Sequence, residues 1–506
     1  MVFSDGFGDF FLHSCRLRTK EKNDKIREVI EDEELDIEEV MDRLEKFENK
    51  IKFTAFGKTS KKVSVPKKGG PKLVHIDESE KAKELIEKQS ELIEEEVEKI
   101  RRRGGGQINQ IHKIAKDLKG AREEIAHAVK DPETKKLVVY QEEIKKVSLR
   151  YCMKVLERNP PKGELEKMFE LRENLNERRM AENDGKGFKA TKEVFEGVLA
   201  KFKANNKRSY DFLIKASQEF KDSVYILCKR IIESESIPDK FRETTLHQIW
   251  KRKPGTRKED LESNRYIHCK EWLAKTVEAM VVKAMEPELR EATNRFQIGG
   301  VSGHRPQEHI FCVKSVIHKY VQEKKMIILI CYDISAFFDK EVLGDLLDEL
   351  NCIGVDPRAQ RLFYQLNKNT KVRVRTGAGD SDWGEVGDII GQGSSSAAKV
   401  SALNLSRKLD RVFEGNTELA TYGAVKQHPY SFQDDVLTQV ESVEGLRAAN
   451  VKMTEVRDLM QTKLNKSKSG YILMGPEAQV NDARQRIKRE PIMCNGFQMM
   501  ELKEEK

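Results

Sequence analysis

SFQDDVL, residues 431–437, sets two adjacent acids, Asp434 and Asp435, inside what otherwise reads as a short strand pair. Adjacent aspartates on their own mark only a turn, because their side chains cap local backbone donors. A third carboxylate about a hundred residues upstream changes that reading. MIILICYDISAFFDK, residues 326–340, holds the most apolar run of the chain and closes it with Asp333. A buried-type strand ending in Asp333 and a hairpin tip carrying Asp434 and Asp435 are predicted to meet, bringing three carboxylates to one point.

Three converging carboxylates suit a pair of magnesium ions, which need few protein ligands because they keep positions for water and substrate phosphates. Two such ions about 4 Å apart activate an attacking hydroxyl and stabilise a leaving pyrophosphate. The expected chemistry is nucleotidyl transfer, with Mg2+ as cofactor and Mn2+ as its alternative.

The chain has 506 residues, enough for roughly three domains, and an apolar fraction of 38% that is low for one compact unit. A globular core with an extended, highly charged part is expected. The 93 basic and 85 acidic residues leave a net charge of +8, a balance that permits nucleic-acid binding without requiring it. Eight scattered cysteines form no Cys-x-x-Cys pair, which speaks against a zinc module and a secreted disulfide framework and favours a reducing, intracellular compartment. The N-terminus lacks the basic head of a secretory signal, and the run from Met326 to Cys331 is far too short to span a bilayer.

Along the chain, the lone Gly57-Lys58-Thr59 lacks the upstream glycine of a P-loop and reads as a loop, and SVPKKGGPK follows as a linker. From Ser79 to Arg103 apolar residues occupy one helical face, a stripe from which self-association is expected. Residues 162–235 read as further helices, with Gly185–Gly187 as a break. The texture changes at IPDKFRETTLHQIWKRKPGTRK, residues 237–258, where basic side chains cluster around a Pro-Gly turn. A helix over 274–292 leads into the glycine-rich FQIGGVSGHRPQEH, whose glycines are expected to let backbone approach a ligand. KVRVRT, residues 371–376, alternates as a strand, and strands and helices interleave without a regular βαβ repeat, so the fold class is α+β.

With these pieces in order, residues 237–506 resemble the fingers and palm of a reverse transcriptase, most like those of non-LTR retrotransposons. The motifs are the basic segment just quoted, NRYIHCKEWLAKTVE, FQIGGVSGHRPQEHI, YDISAFFD, GQGSSS, FQDD and LNKSKSGYILMG, and it is their order that is specific. The resemblance implies a right-hand polymerase in residues 231–506, a mainly helical, charged extension in 61–230, and a connector-like segment in 1–60 that follows an endonuclease in such elements. The chain stops at GFQMMELKEEK, where the family leads into its primer grip and thumb, so the resemblance implies a fragment without a thumb.

Roles carry over by position. Asp333, Asp434 and Asp435 are expected to hold the catalytic metals, with the backbone carbonyl of Ile334 completing the shell. Phe338 matches the aromatic that excludes a 2′-hydroxyl, and Gln392 and Gly393 match the pair beneath the nascent base pair. Arg265 matches the arginine that grips the triphosphate, with Lys251 or Lys253 as its partner, and Lys468 matches the lysine that protonates pyrophosphate. The implied partners are an RNA template, a DNA primer and dNTPs, with no membrane; a nuclear location fits target-primed integration. Three departures stand out. Gln433 replaces the family's alanine, Arg265-Tyr266-Ile267-His268 replaces Arg-Pro-Ile-Ser, and serines 394–396 replace Cys-Pro. An intron-maturase enzyme and a decayed element product that binds nucleic acid without catalysis are the alternatives.

Overall fold

The computed structural model describes residues 37–39, 41, 128–157, 188–204, 210–253, 255–415 and 418–502. The Gly57–Thr59 loop, the lysine-rich linker, the 79–103 stripe expected to self-associate and most of the connector-like segment lie outside the described residues.

In chain order, helices α1 (Gln141–Leu156), α2 (Lys192–Ala204) and α3 (Gln218–Ser234) precede strands β1 (Glu243–Trp250) and β2 (Asn264–Lys270). Helices α4 (Trp272–Ala292) and α5 (Pro306–Gln322) lead to β3 (Ile327–Ser335), α6 (Leu343–Cys352) and β4 (Thr370–Thr376). Among the elements that follow are α7 (Ala397–Phe413), β5 (Tyr430–Phe432), β6 (Asp435–Val440), α8 (Val443–Leu459), β7 (Lys463–Leu464) and β8 (Gly470–Met474). The fold is α+β, as the sequence predicts.

Two sheets organise the molecule. In the first, β1 pairs antiparallel with β2 and parallel with β4. Leu246, Val372 and Val374 face inward there and are covered by Cys152 and Leu156 of α1. In the second, the order β5-β6-β3-β8 has antiparallel neighbours, and Met500–Glu501 adds an edge strand parallel to β8. β3 is central, which explains its nearly unbroken apolar sequence: both faces are buried along most of its length. Its even-numbered residues, Ile328, Ile330, Tyr332 and Ile334, pack with Leu405 and Leu409 of α7 and Leu446, Ala449 and Met453 of α8. On the opposite face, Ile327 meets Val316 and Tyr320 of α5. Towards the strand's end that face opens, and Asp333 stands on it.

A larger core joins α2 and α3 to α4 through Phe195, Val198, Phe220, Val224, Val277 and Met280. The described helices of the 61–230 segment thus share cores with the rest of the chain. Among the described residues, the seven cysteines form no disulfide and no helix is long and apolar enough to cross a membrane.

One buried carboxyl makes stability depend on pH. Glu341, 2% exposed, accepts a hydrogen bond from Asn404 Nδ2 at 2.6 Å, with Lys408 and Asp345 also facing it. Burial pushes this carboxyl up to about 7, against the opposing charge of Lys408. The folded state therefore holds the proton more tightly than the unfolded chain, and stability falls as pH rises from about 4.5 to about 7. Glu341→Gln is expected to remove a pH dependence on the order of 3 kcal/mol across that window. Thermal unfolding at pH 5 and about pH 7.5 checks it; a variant that keeps the wild-type slope rejects the assignment.

Candidate active site

The site begins with register. β6 pairs with β3 so that Asp435 lies directly opposite Asp333, and β5 pairs with β6 so that Phe432 lies opposite Asp435. Side chains opposite one another in an antiparallel ladder project from the same face, which here is the open one. Gln433 and Asp434 form the two-residue loop between β5 and β6, and the Ile334 N–H donates to the Asp434 carbonyl at 3.2 Å. The three acids expected from sequence therefore come together at the open end of the sheet.

The loop geometry has a cost that the surroundings meet. Gln433 adopts φ +58°, a left-handed conformation disfavoured for a residue with a Cβ but suited to the twist of a two-residue hairpin. Its N–H donates to Gln297 Oε1 at 3.1 Å, and its side-chain amide donates to the Ala398 carbonyl at 3.2 Å. Gln297 belongs to the glycine-rich loop, whose residues 296–298 run beside β5: the Ser431 N–H donates to Phe296 O and the Ile298 N–H to Ser431 O. A Cβ on Gly299 would stand 2.3 Å from the Gln433 nitrogen, and one on Gly300 equally close to the Gln433 amide. The glycines expected to approach a ligand instead approach the aspartate turn, and they leave no room for side chains because backbone packs on backbone. Gln433 is one of the clamps.

Asp333 is held by its own backbone. Its N–H donates to Ser469 Oγ at 3.2 Å, and its carbonyl accepts from the Asn465 N–H at 2.8 Å. The turn that supplies both partners also presents Lys468, whose ammonium donates to Asp333 Oδ2. Lys468 is thus an ion-pair partner within the carboxylate cluster rather than a freely solvated side chain. Burial pushes the Asp434 and Asp435 carboxyls above the usual range, and the negative charge of Asp333 pushes both the same way while Lys468 opposes it. Such a crowd of like charges is stabilised by cations.

The cations expected from sequence gather nearby. Lys251 is lowered first by burial and then by the positive charges of Lys253, Arg265 and Lys468, with Asp339 opposing. Lys251 and Lys253 follow β1, and Arg265 stands on β2 opposite Ile249. Gln392 and Gly393 lie against the same strand: the Gln392 carbonyl accepts from the His268 N–H at 2.8 Å, and the Gly393 carbonyl accepts from Lys275 Nζ at 2.9 Å. Phe338 opens a short 3-10 turn after β3, edge-on to Phe337 at 5.2 Å between ring centroids, and packs against the two main cores. Of serines 394–396, Ser396 donates its hydroxyl to buried Glu278 at 2.7 Å. Sequence reasoning missed Gln297, Asn465, Ser469 and His268 as holders of these groups, although all four lie inside the quoted motifs.

Among the described residues, no three His, Cys, Asp or Glu side chains close into a ready metal cage. What the structure offers is an opposed carboxylate pair, a third carboxylate on the adjoining turn, and an ammonium compensating the first. The donors are all carboxylate oxygens, which suit a hard divalent cation such as magnesium, an ion that takes one or two carboxylates and completes its shell with water and phosphate. By donor type and charge the residues fit the group. Two open clefts elsewhere, about 510 and 450 Å³, contain none of these residues.

No protein-family model matches the chain, and no curated protein does. Among solved structures it is similar to apo telomerase from Candida Tropicalis truncated from its C-terminal domain, at 11% identity and TM-score 0.33, over 55% of this chain and 66% of that one. Telomerase from Candida albicans in complex with a TWJ fragment of telomeric RNA gives 12% identity and TM-score 0.35, over 55% and 53%. Apo telomerase from Candida Tropicalis gives 12% and 0.35, over 67% of each chain. The match thus spans between 53% and 67% of those telomerase chains.

Proposed function

We propose that the chain is an RNA-directed DNA polymerase of a non-LTR mobile element, with the β5-β6-β3-β8 sheet as its palm and the β1-β2-β4 sheet in its fingers. The observation that carries the reading is the opposition of Asp333 and Asp435 across one ladder, with Asp434 on the adjoining turn and Lys468 on Asp333.

Asp333, Asp434 and Asp435, with the Ile334 carbonyl, would hold Mg2+. The chemistry such ions would supply there is activation of the primer 3′-hydroxyl and neutralisation of charge on the departing pyrophosphate. Arg265 supplies a planar fork for the triphosphate, and Lys251 and Lys253 supply point charges. Lys468, beside the metal-binding acids, donates a proton to the leaving group. Phe338 excludes a 2′-hydroxyl from the sugar position, and Gln392 with Gly393 supports the nascent base pair. Template RNA and primer DNA are held by phosphate contacts and A-form shape, so sequence preference is weak. The mobile-element reading brings with it a nuclear site of action and self-association through the 79–103 stripe.

Extension of a DNA primer on an RNA template, with Mg2+ and dNTPs, tests the proposal. The wild type is expected to extend, and Asp434→Asn combined with Asp435→Asn is expected to abolish extension while leaving primer–template binding in a filter assay. Binding by both with synthesis by neither supports the decayed, binding-only reading instead.

A further inference from the structure

His268 occupies an unusual position in this site. It is 3% exposed and projects from the inward face of β2, opposite in sense to Arg265, whose side chain lies on the exposed face. Three segments meet at it. Its backbone N–H donates to the Gln392 carbonyl at 2.8 Å. Its ring fills the space over Gly391, where an added Cβ would stand 2.1 Å from the ring's Cγ and 2.2 Å from Nδ1. Its Nε2 lies 3.5 Å from Asp339 Oδ1, next in sequence to Phe338. Both of those atoms are buried and neither has a hydrogen-bond partner among the described residues. Gly393 adds to the same contact: a Cβ there would come within 2.8 Å of Ile267 Cγ2 and 3.1 Å of the His268 carbonyl. The 391–393 loop therefore lies flat on β2, and only glycines on either side of Gln392 permit it.

We propose that His268 is a positioning residue for the incoming nucleotide, a clamp that fixes the Gln392–Gly393 loop to the Arg265 strand and, through Asp339, to the Phe338 turn. The inference rests on the polymerase reading and deepens it. The three segments it joins are the ones assigned to the triphosphate, the sugar and the nascent base pair, and none is adjacent to another in sequence. Two unpartnered buried polar atoms 3.5 Å apart are stabilised by closing to hydrogen-bond distance, with the Nε2–H tautomer donating to the carboxylate. A movement of about half an ångström, driven by a nucleotide drawing the fingers inward, makes that bond. The fourth residue of Arg265-Tyr266-Ile267-His268 thus has a physical use here: a large ring accommodated by a missing side chain at Gly391.

Steady-state extension with varied dNTP concentration tests the clamp, with thermal unfolding followed for every variant. His268→Ala is expected to raise the nucleotide KM roughly tenfold with kcat changed less than about threefold, the signature of lost positioning rather than lost chemistry. His268→Gln, which retains an amide donor, is expected to recover most of that loss. Gly391→Ala in the wild-type background is expected to raise KM by a similar factor by displacing the ring. In the His268→Ala background the same change is expected to add less than about twofold, because the clash has gone. An unmoved KM in His268→Ala, or an equal effect of Gly391→Ala in both backgrounds, overturns the inference. Where Gly391→Ala does not fold, Asp339→Ala provides the second reading, with the same KM shift expected and no shift overturning it. Absence of extension by the wild type overturns the polymerase reading and the clamp with it; wild-type extension with unmoved variants overturns the clamp alone.

Discussion

On the proposed polymerase reading, Asp333→Asn is expected to reduce primer extension on the order of 10³-fold, because a metal held by this carboxylate would supply several kcal/mol of transition-state charge stabilisation and each 1.36 kcal/mol is tenfold in rate. The substitution is nearly isosteric and keeps the backbone bonds to Ser469 and Asn465, so the strand end stays in place. Its effects on charge are specific. The Lys468 ammonium loses its ion-pair partner, and Asp434 and Asp435 lose the neighbouring charge that, after burial, holds their carboxyls up. The measurement is single-turnover extension alongside thermal unfolding. Loss of activity with an unchanged melting temperature is the expected result; retained activity removes Asp333 from the chemistry.

Gly299→Ala is expected to cost about 100-fold in extension without touching a carboxylate, since displacements of about 1 Å at a distance from the chemistry carry penalties of that size. The added methyl would lie 2.3 Å from the Gln433 nitrogen and 2.8 Å from the Phe432 carbonyl carbon, both backbone atoms that cannot rotate away. The aspartate turn must shift, and with it the register that puts Asp435 opposite Asp333. Gln433 already holds a left-handed conformation, so little of the displacement can be absorbed in the loop. Gly303→Ala in the same glycine-rich segment serves as the control for substitution in that loop. Its Cβ would meet nothing within 4 Å, so the strain of its φ of +91° is its cost and no contact adds to it. Full activity in Gly299→Ala would show that the loop does not set the turn.

Much of the site was legible because its chemistry is carried by residue types that a fold rarely places by chance. An acidic end to an apolar strand, an acidic pair in a hairpin and a basic segment upstream all read directly. The strand over 371–376 and the helix over 274–292 appear as β4 and α4, since side-chain alternation and helical spacing report burial on one face. The glycine-rich loop was misread, and the reason is physical. Glycine signals that something comes close; it does not say whether that is a ligand or another stretch of backbone.

The same limit holds for His268, Gln297, Asn465 and Ser469. A polar residue beside a motif announces no partner, and theirs lie from 71 residues away, for His268–Asp339, to 136 away, for Asp333–Ser469 and Gln297–Gln433, brought near only by packing. What the sequence determined by itself was the inventory: three carboxylates, a set of cations and an α+β alternation, because charge and hydrophobic period are local properties. Tertiary structure alone decided the pairing. It set Asp435 opposite Asp333, laid Lys468 on Asp333 and pressed the Gly391–Gly393 loop onto β2. The physical reason is that ladder register and close backbone contact depend on which surfaces bury one another, and no short window of sequence contains both sides of that contact.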